Sequence, residues 1–360
     1  MGVLDGVKVV EFAALGPGPV CAMFLADMGA DVVVVDRKGG EAFGPAYFIN
    51  RGKRSIALDL KADEDLDIAK SLLAWADVVI EGYRPGVMER IGLGPEVALS
   101  INPSLVYGRM TGWGQEGPMA SAAGHDGNYV ALAGGYWFAG EPGEKPHLPA
   151  TLVGDIGGGT MFLLSGILAG LLRAQKTGEG QVVDAAIVDG VANLLTLQLV
   201  VATKGFERGR SVLDSHAPWS QMYQCACGGY VKVATREDKF YVDLLKLLGL
   251  DDEFTVRDRQ DVTTWPALAR RMTSAFAAKT REEWAAIFDG SDACATAVLS
   301  PSEAAAHPHL AARGTYFQNA GRLQPAPAPR FSHTPSTSSR RIPEPDQDRE
   351  SILADIALPS

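Results

Sequence analysis

The 360-residue sequence predicts an α/β fold, with a Rossmann-like large domain on a parallel sheet and a smaller α+β domain after it. Three observations carry this reading. Short, near-continuous apolar runs alternate with helical stretches, as in parallel strands covered on both faces. Cationic residues recur just after those runs, where open parallel sheets take their ligands. Past about residue 220 the pattern changes to a hairpin followed by helices.

Residues 7–12 form the first predicted strand, and Gly16-Pro17-Gly18-Pro19 turns the chain into a helix that reaches Met28. Gly29 ends that helix, and residues 31–36 form the second strand. Strands at 55–60, 76–81 and 105–110 and an amphipathic helix at 63–75 continue the alternation. A long apolar helix is expected over 157–176, then a strand at 181–187 and a helix running to about Lys204. Residues 222–233 read as a β-hairpin turning at Gly228-Gly229. Helices at 238–248, 264–278 and 280–288 and a short strand at 295–299 complete the smaller domain. The expected division is 1–205 (large domain), 206–219 (linker), 220–312 (small domain) and 313–360 (linker and an arm returning to the large domain). The proline-rich stretch 324–345 is read as an extended arm over the surface.

The loop at residues 16–19 sits where a dinucleotide fingerprint would sit, yet it is not G-x-G-x-x-G. Its two prolines remove backbone donors that would cradle a pyrophosphate. Asp36 would suit a ribose, but Arg37 follows it directly. Rossmann-like topology is therefore expected without NAD.

The net charge of −10 argues against nucleic acid or an anionic membrane as a general partner. A local cluster of Arg and Lys can still bind an anionic small molecule. Cys21, Cys225, Cys227 and Cys294 form no C-x-x-C pair and are read as reduced thiols of a cytoplasmic protein. His307-Pro308-His309 has no third ligand nearby and reads as surface loop, so no metal is expected. The N-terminus does not look like a signal peptide. The charge-free stretch 156–172 is short and glycine-rich for a membrane span and reads as a core helix.

Two segments offer chemistry. In Gly124-His125-Asp126-Gly127-Asn128-Tyr129 an imidazole follows a glycine and precedes Asp and Asn, residues that suit a helix N-cap. The free N–H groups of that helix start would suit an enolate oxygen. About 30 residues on, Asp155 stands before Gly157-Gly158-Gly159. It can be either the N-cap of the following helix or a base that a substrate approaches closely over the glycines. Two bases beside backbone donors are what proton transfer next to a carbonyl needs. Glu237 taken alone reads as a solvated acid in a first helical turn. The cationic stretches flanking the strands hold Arg37-Lys38, Arg51-Gly52-Lys53-Arg54, Lys61, Arg84 and, a little further on, Arg90, and would suit phosphates.

These motifs resemble the family III CoA-transferase superfamily over nearly the whole chain, to about Arg330. The similarity is carried by residues 25–33, 80–87, 90–95 and 108–115, by Gly124-His125-Asp126, and by residues 178–185. Within the superfamily the resemblance is to the branch that racemises 2-methylacyl-CoA thioesters. It implies an acyl-CoA substrate, with CoA part of the substrate and no separate cofactor. It also implies an interlocked homodimer with sites between the large domain of one subunit and the small domain of the other. His125 and Asp155 are the two implied bases, with Glu237 paired to the histidine and the Asp126 N–H holding the thioester oxygen. Implied CoA contacts are Arg37, Leu58, Asp59, Leu60, Lys61, Gly82, Tyr83, Arg84, Arg90 and the segment from Gly124 to Tyr129. Leu15 and Met222 are candidates to support the acyl tail. In the transferase branch Asp126 would instead be the nucleophile that forms an acyl anhydride. A protein that binds CoA without catalysis is the third reading.

Overall fold

The computed structural model describes residues 2–40, 47–140, 143–202, 217–337, 339 and 341–356. Two compact units emerge. The first comprises Met1–Gly135, Pro149–Leu194 and Ala305–Ser360; the second comprises Tyr136–Leu148 and Leu195–Ala304. Residues 206–216 of the expected linker lie outside the described residues.

The first unit opens with β1 (Lys8–Phe12), α1 (Pro17–Asp27), β2 (Asp31–Arg37), β3 (Arg54–Leu58) and α2 (Asp63–Trp75). Then come β4 (Val78–Glu81), α3 (Val87–Arg90), α4 (Pro95–Ile101), β5 (Val106–Thr111) and α5 (Asp126–Leu132). A π-helical turn, Leu152–Thr160, runs directly into α6 (Met161–Thr177), followed by β6 (Gln181–Ala186) and α7 (Ile187–Leu194). The six strands form one sheet in the order β3-β2-β1-β4-β5-β6. All five pairings are parallel, so every strand ends at the same edge of the sheet. Val9, Val10, Val32, Val33, Val78 and Val79 are fully buried, as strands sandwiched between helix layers require. The α/β class and the parallel sheet agree with the sequence reading.

The start of one expected helix moves. The helix predicted from Gly157 begins five residues earlier, in the wide turn at Leu152. Packing against α7 explains the glycines of that turn. A Cβ on Gly158 would sit 2.9 Å from the Val191 nitrogen, and one on Gly190 would sit 1.9 Å from the Gly158 oxygen. Only two glycines facing each other let these backbones touch. The run Leu152–Thr177 is long and apolar enough to cross a membrane. In the fold its inner face packs on the sheet, with Leu163 and Ile167 buried and Gly166 and Gly170 closely apposed to Val183 and Val106.

The second unit contains α8 (Thr196–Val201), β7 (Met222–Gln224), β8 (Tyr230–Val233), α9 (Asp238–Leu248), α10 (Trp265–Phe276), α11 (Arg281–Phe288) and β9 (Ala295–Ala297). The predicted hairpin is present as β7 and β8, and β9 joins it antiparallel. The helix expected to continue to about residue 204 breaks at Leu195, between α7 and α8. An aromatic core of Trp219, Tyr223, Phe276, Trp284 and Phe288 holds this unit together.

Toward the C-terminus lie α12 (Pro301–Ala306), α13 (Pro308–Ala312), β10 (Tyr316–Asn319), β11 (Arg322–Pro325) and α14 (Arg349–Ile356). His307, read as loop, is the N-cap of α13, its Nδ1 accepting the His309 N–H at 3.3 Å. The arm does more than cover surface. Edge strand β3 has its Ser55 and Ala57 N–H groups bonded to Asp348 Oδ2 (3.0 Å) and Asp346 Oδ1 (2.8 Å). Carboxylates thus take the acceptor positions that another strand would fill.

Candidate active site

The C-terminal ends of β1, β4 and β5 open onto a cleft of about 570 Å³, lined among others by Gly16, Arg84, Trp113, His125, Asp126 and Asp155. This is the edge at which open parallel sheets bind ligands.

His125 is the N-cap of α5, in extended conformation (φ −133°, ψ 172°). Its N–H donates to Asn128 Oδ1 at 3.1 Å, and the Asn128 N–H returns a bond to the His125 carbonyl at 2.8 Å. Capping thus falls to His125 and Asn128, while Asp126 is the first helical residue. The imidazole itself is exposed to the cleft.

Asp126 turns its carboxylate to the segment before α6. Oδ2 accepts the Thr151 N–H at 3.0 Å and Oδ1 accepts the Asp155 N–H at 2.9 Å. Thr151 has φ +65°, a left-handed backbone costing on the order of 1–2 kcal/mol in a residue with a Cβ. The Asp126 bond helps to hold it there, beside the cleft.

Asp155 lies inside the π-helical turn, so it is not a cap for the helix that follows. Its carboxyl is pushed up to about 6 from an ordinary 3.8, first by burial and then by the negative charge of Asp126, with His125 acting in the opposite sense. Gly16, in left-handed conformation (φ +78°), brings the β1–α1 loop alongside. A Cβ there would lie 3.7 Å from Asp155 Oδ2.

Tyr129 forms part of the wall. Its hydroxyl donates to the Gly124 carbonyl, and its ring meets Trp113 edge-on, 4.7 Å between centroids. The ring fits because residue 112 is glycine, where a Cβ would come within 2.0 Å of it. Burial, followed by the charge of Asp155, raises the Tyr129 phenol, and Arg84 opposes them. Gly82 passes close to Ala14, and Tyr83 donates from its hydroxyl to the Ala13 carbonyl at 3.2 Å. Leu15 lines the cleft and is 70% exposed.

Other candidates lie elsewhere, and Arg51 and Lys53 are buried in ion pairs with Asp27 and Glu11, which leaves neither cation on the surface for a phosphate. Arg37 pairs in register with Leu58 at the ends of β2 and β3, with Asp59, Leu60 and Lys61 just beyond. These residues lie at the same C-terminal edge of the sheet without lining the cleft. Arg90 is exposed at the end of α3, its guanidinium packed near Gly86. Glu237 is in the second unit as the exposed N-cap of α9. Met222, 60% exposed on β7, is in the same unit. Trp113 and Thr151 were not singled out from the sequence. The Thr-Gly-Trp-Gly turn directly after β5 was a signal for Trp113; nothing local marked Thr151.

Residues 4–349 match CoA-transferase family III. Alpha-methylacyl-CoA racemase of Mus musculus is 41% identical over 361 residues, covering 99% of this chain and 94% of its own. Alpha-methylacyl-CoA racemase of Homo sapiens is 39% identical over 360 residues, with the same coverage. The crystal structure of a CAIB/BAIF family protein from Brucella suis superposes with a TM-score of 0.83 at 28% identity, covering 99% of each chain. With sequence and fold both matched from end to end, the chain belongs to CoA-transferase family III.

Proposed function

We propose that the protein interconverts the (2R)- and (2S)-epimers of 2-methylacyl-CoA thioesters by 1,1-proton transfer. The racemase relatives at about 40% identity support this reading. One observation carries the chemistry: His125 and Asp155 line a single cleft, and the Asp155 carboxyl is raised to about 6. A base whose affinity for protons lies near the working pH can both take and return a proton.

In this mechanism one base removes the proton at C2 and the other delivers a proton to the opposite face. The electron pair left at C2 moves into the thioester carbonyl, giving an enolate. The Asp126 N–H, first in its helix and so without an intrahelical acceptor, is the candidate donor to that oxygen. Arg37, the run from Leu58 to Lys61, Gly82 to Arg84, Arg90 and the segment from Gly124 to Tyr129 are the proposed CoA contacts. Leu15 offers apolar surface to the acyl tail.

We further infer a homodimer in which the second unit of one protomer brings Glu237 to His125 of the other. Leu197 and Val200 on α8 are each 65% exposed, the kind of apolar surface that an interface covers.

CoA transfer through Asp126 is the less supported alternative. Both oxygens of that carboxylate already accept backbone N–H bonds, which stabilise the anion and weaken it as a nucleophile. The deciding experiment incubates the protein with (2R)- and, separately, (2S)-2-methylacyl-CoA in D₂O without an acceptor acid. Deuteration at C2 and convergence to a mixture are expected from either epimer. Retention of the C2 proton in both would overturn the racemase reading for that acyl group.

A further inference from the structure

At the ends of β2 and β3, one carboxylate gathers donors from three separate stretches of chain. Asp65, in the first turn of α2, is only 4% exposed. Its Oδ2 accepts the Asp59 N–H at 2.8 Å and lies 3.2 Å from Lys38 Nζ. Its Oδ1 lies 3.4 Å from Arg349 Nη2 on α14. The Asp59 N–H is the largest of the influences holding this carboxyl below the usual range. A buried carboxylate is retained only when its lone pairs are met, and here they are met by the β2–β3 loop, the β3–α2 loop and the C-terminal helix.

The bonding continues outward from this point. Arg349 Nη1 donates to the Ala57 carbonyl at 3.0 Å. Asp59 Oδ1 accepts the Lys61 N–H at 3.1 Å, fixing the next turn of the loop. Arg37, Lys38 and Lys61 remain exposed around this buried anchor. Lys38 is tethered on one side while its side chain is 60% exposed. Long cationic side chains lose rotamer freedom when they bind an anion, and a loop fixed beforehand avoids part of that loss.

Resting on the acyl-CoA reading above, we propose that Asp65 is a positioning residue for the nucleotide end of CoA. It fixes Lys38 and the 58–61 loop so that Arg37, Lys38 and Lys61 meet the phosphates from preset places. Through Arg349 it makes the C-terminal helix a support of that subsite.

The test uses the full chain with Asp65→Asn and, separately, Arg349→Gln. Two substrates are compared by C2 deuteration: 2-methyldecanoyl-CoA, and the 2-methyldecanoyl thioester of pantetheine, which lacks the nucleotide. For Asp65→Asn the expected result is a KM for the CoA thioester raised by about five- to tenfold at constant kcat, with the pantetheine thioester unaffected. Arg349→Gln should move the same parameter less. Calorimetric titration with CoA itself should show the same loss of affinity without turnover. Unchanged KM and CoA affinity in both variants overturn the proposal. So does an equal loss for both thioesters, which is the signature of a merely structural role. Should Asp65→Asn fail to fold, Arg349→Gln decides by the same contrast. If the wild-type protein binds CoA but deuterates neither thioester, the racemase reading falls, while the calorimetric contrast still decides the role of Asp65.

Discussion

Asp155 donates its backbone N–H to Asp126 Oδ1 at 2.9 Å, so the two acids of the cleft are joined through main chain rather than through a shared proton. Asp126 spends its carboxylate on position: it ties the start of α5, with His125, to the turn that carries Asp155. The same negative charge helps to lift the Asp155 carboxyl. One residue thus fixes where the candidate base stands and adds to what burial does to its hold on a proton.

Replacing Asp126 should therefore damage geometry before chemistry. Asp126→Ala leaves the Thr151 and Asp155 N–H groups without their acceptor and should cost about 1–3 kcal/mol in urea unfolding. Asp126→Asn keeps one acceptor oxygen and should retain measurable C2 deuteration. A well-folded Asn variant devoid of all exchange would point instead to the carboxylate as a reacting group.

Asp155→Asn should abolish turnover and yet stabilise the fold. The native carboxyl titrates near 6 and the unfolded one near 3.8, so between those values the native state binds more protons. Wild-type stability from this group therefore falls as pH rises through that window. The variant's advantage should be near zero below about pH 4 and reach roughly 1 kcal/mol above pH 6, after allowance for solvent screening. Melting curves at pH 4 and pH 7.5 check this; a variant less stable at the higher pH would contradict it.

Gly154 is buried behind Asp126. A Cβ there would come within 2.2 Å of Asp126 Oδ1 and 2.9 Å of Val130 Cγ2. Gly154→Ala should lose about 1–3 kcal/mol through overpacking and should lower the exchange rate by displacing the Asp126 carboxylate. Calorimetry alongside the deuteration assay reads both effects.

Beneath the β1–α1 loop, Lys53 is fully buried, with its ammonium 2.6 Å from Glu11 Oε2, 3.0 Å from Asn50 Oδ1 and 3.1 Å from the Pro19 carbonyl. Lys53→Met should destabilise by about 3–5 kcal/mol, because it strands a buried carboxylate. Adding Glu11→Leu should recover part of that loss. Denaturant midpoints of the two single variants and the double variant test this; a double variant that simply sums the single losses would count against it.

The sheet was legible because its information is local. Val32 to Val35 and Val78 to Ile80 announce strands buried on both faces, and Gly29 punctuates the β-α-β unit. His125-Asp126 stood out because an imidazole beside a helix start is locally unusual. Other features depend on partners far away in sequence. Gly157 to Gly159 read as the start of a helix, and only the facing Gly190 explains the wider turn. Asp126 looked like a cap, and only Thr151 and Asp155, 25 and 29 residues on, reveal what its oxygens hold. Nothing local marks Asp65 within its amphipathic helix, since its Arg349 partner lies 284 residues away.

The carboxylate cover on β3 also sets a timetable for synthesis. Ser55 and Asp348 are 293 residues apart, and a ribosome adding about 5–20 residues per second needs roughly 15–60 s to bridge that gap. Throughout that interval the strand is complete while its outer donors face whatever is near, including the same strand on a neighbouring nascent chain. The outer edge of β3 therefore gains its cover only once Asp346 and Asp348 have been made.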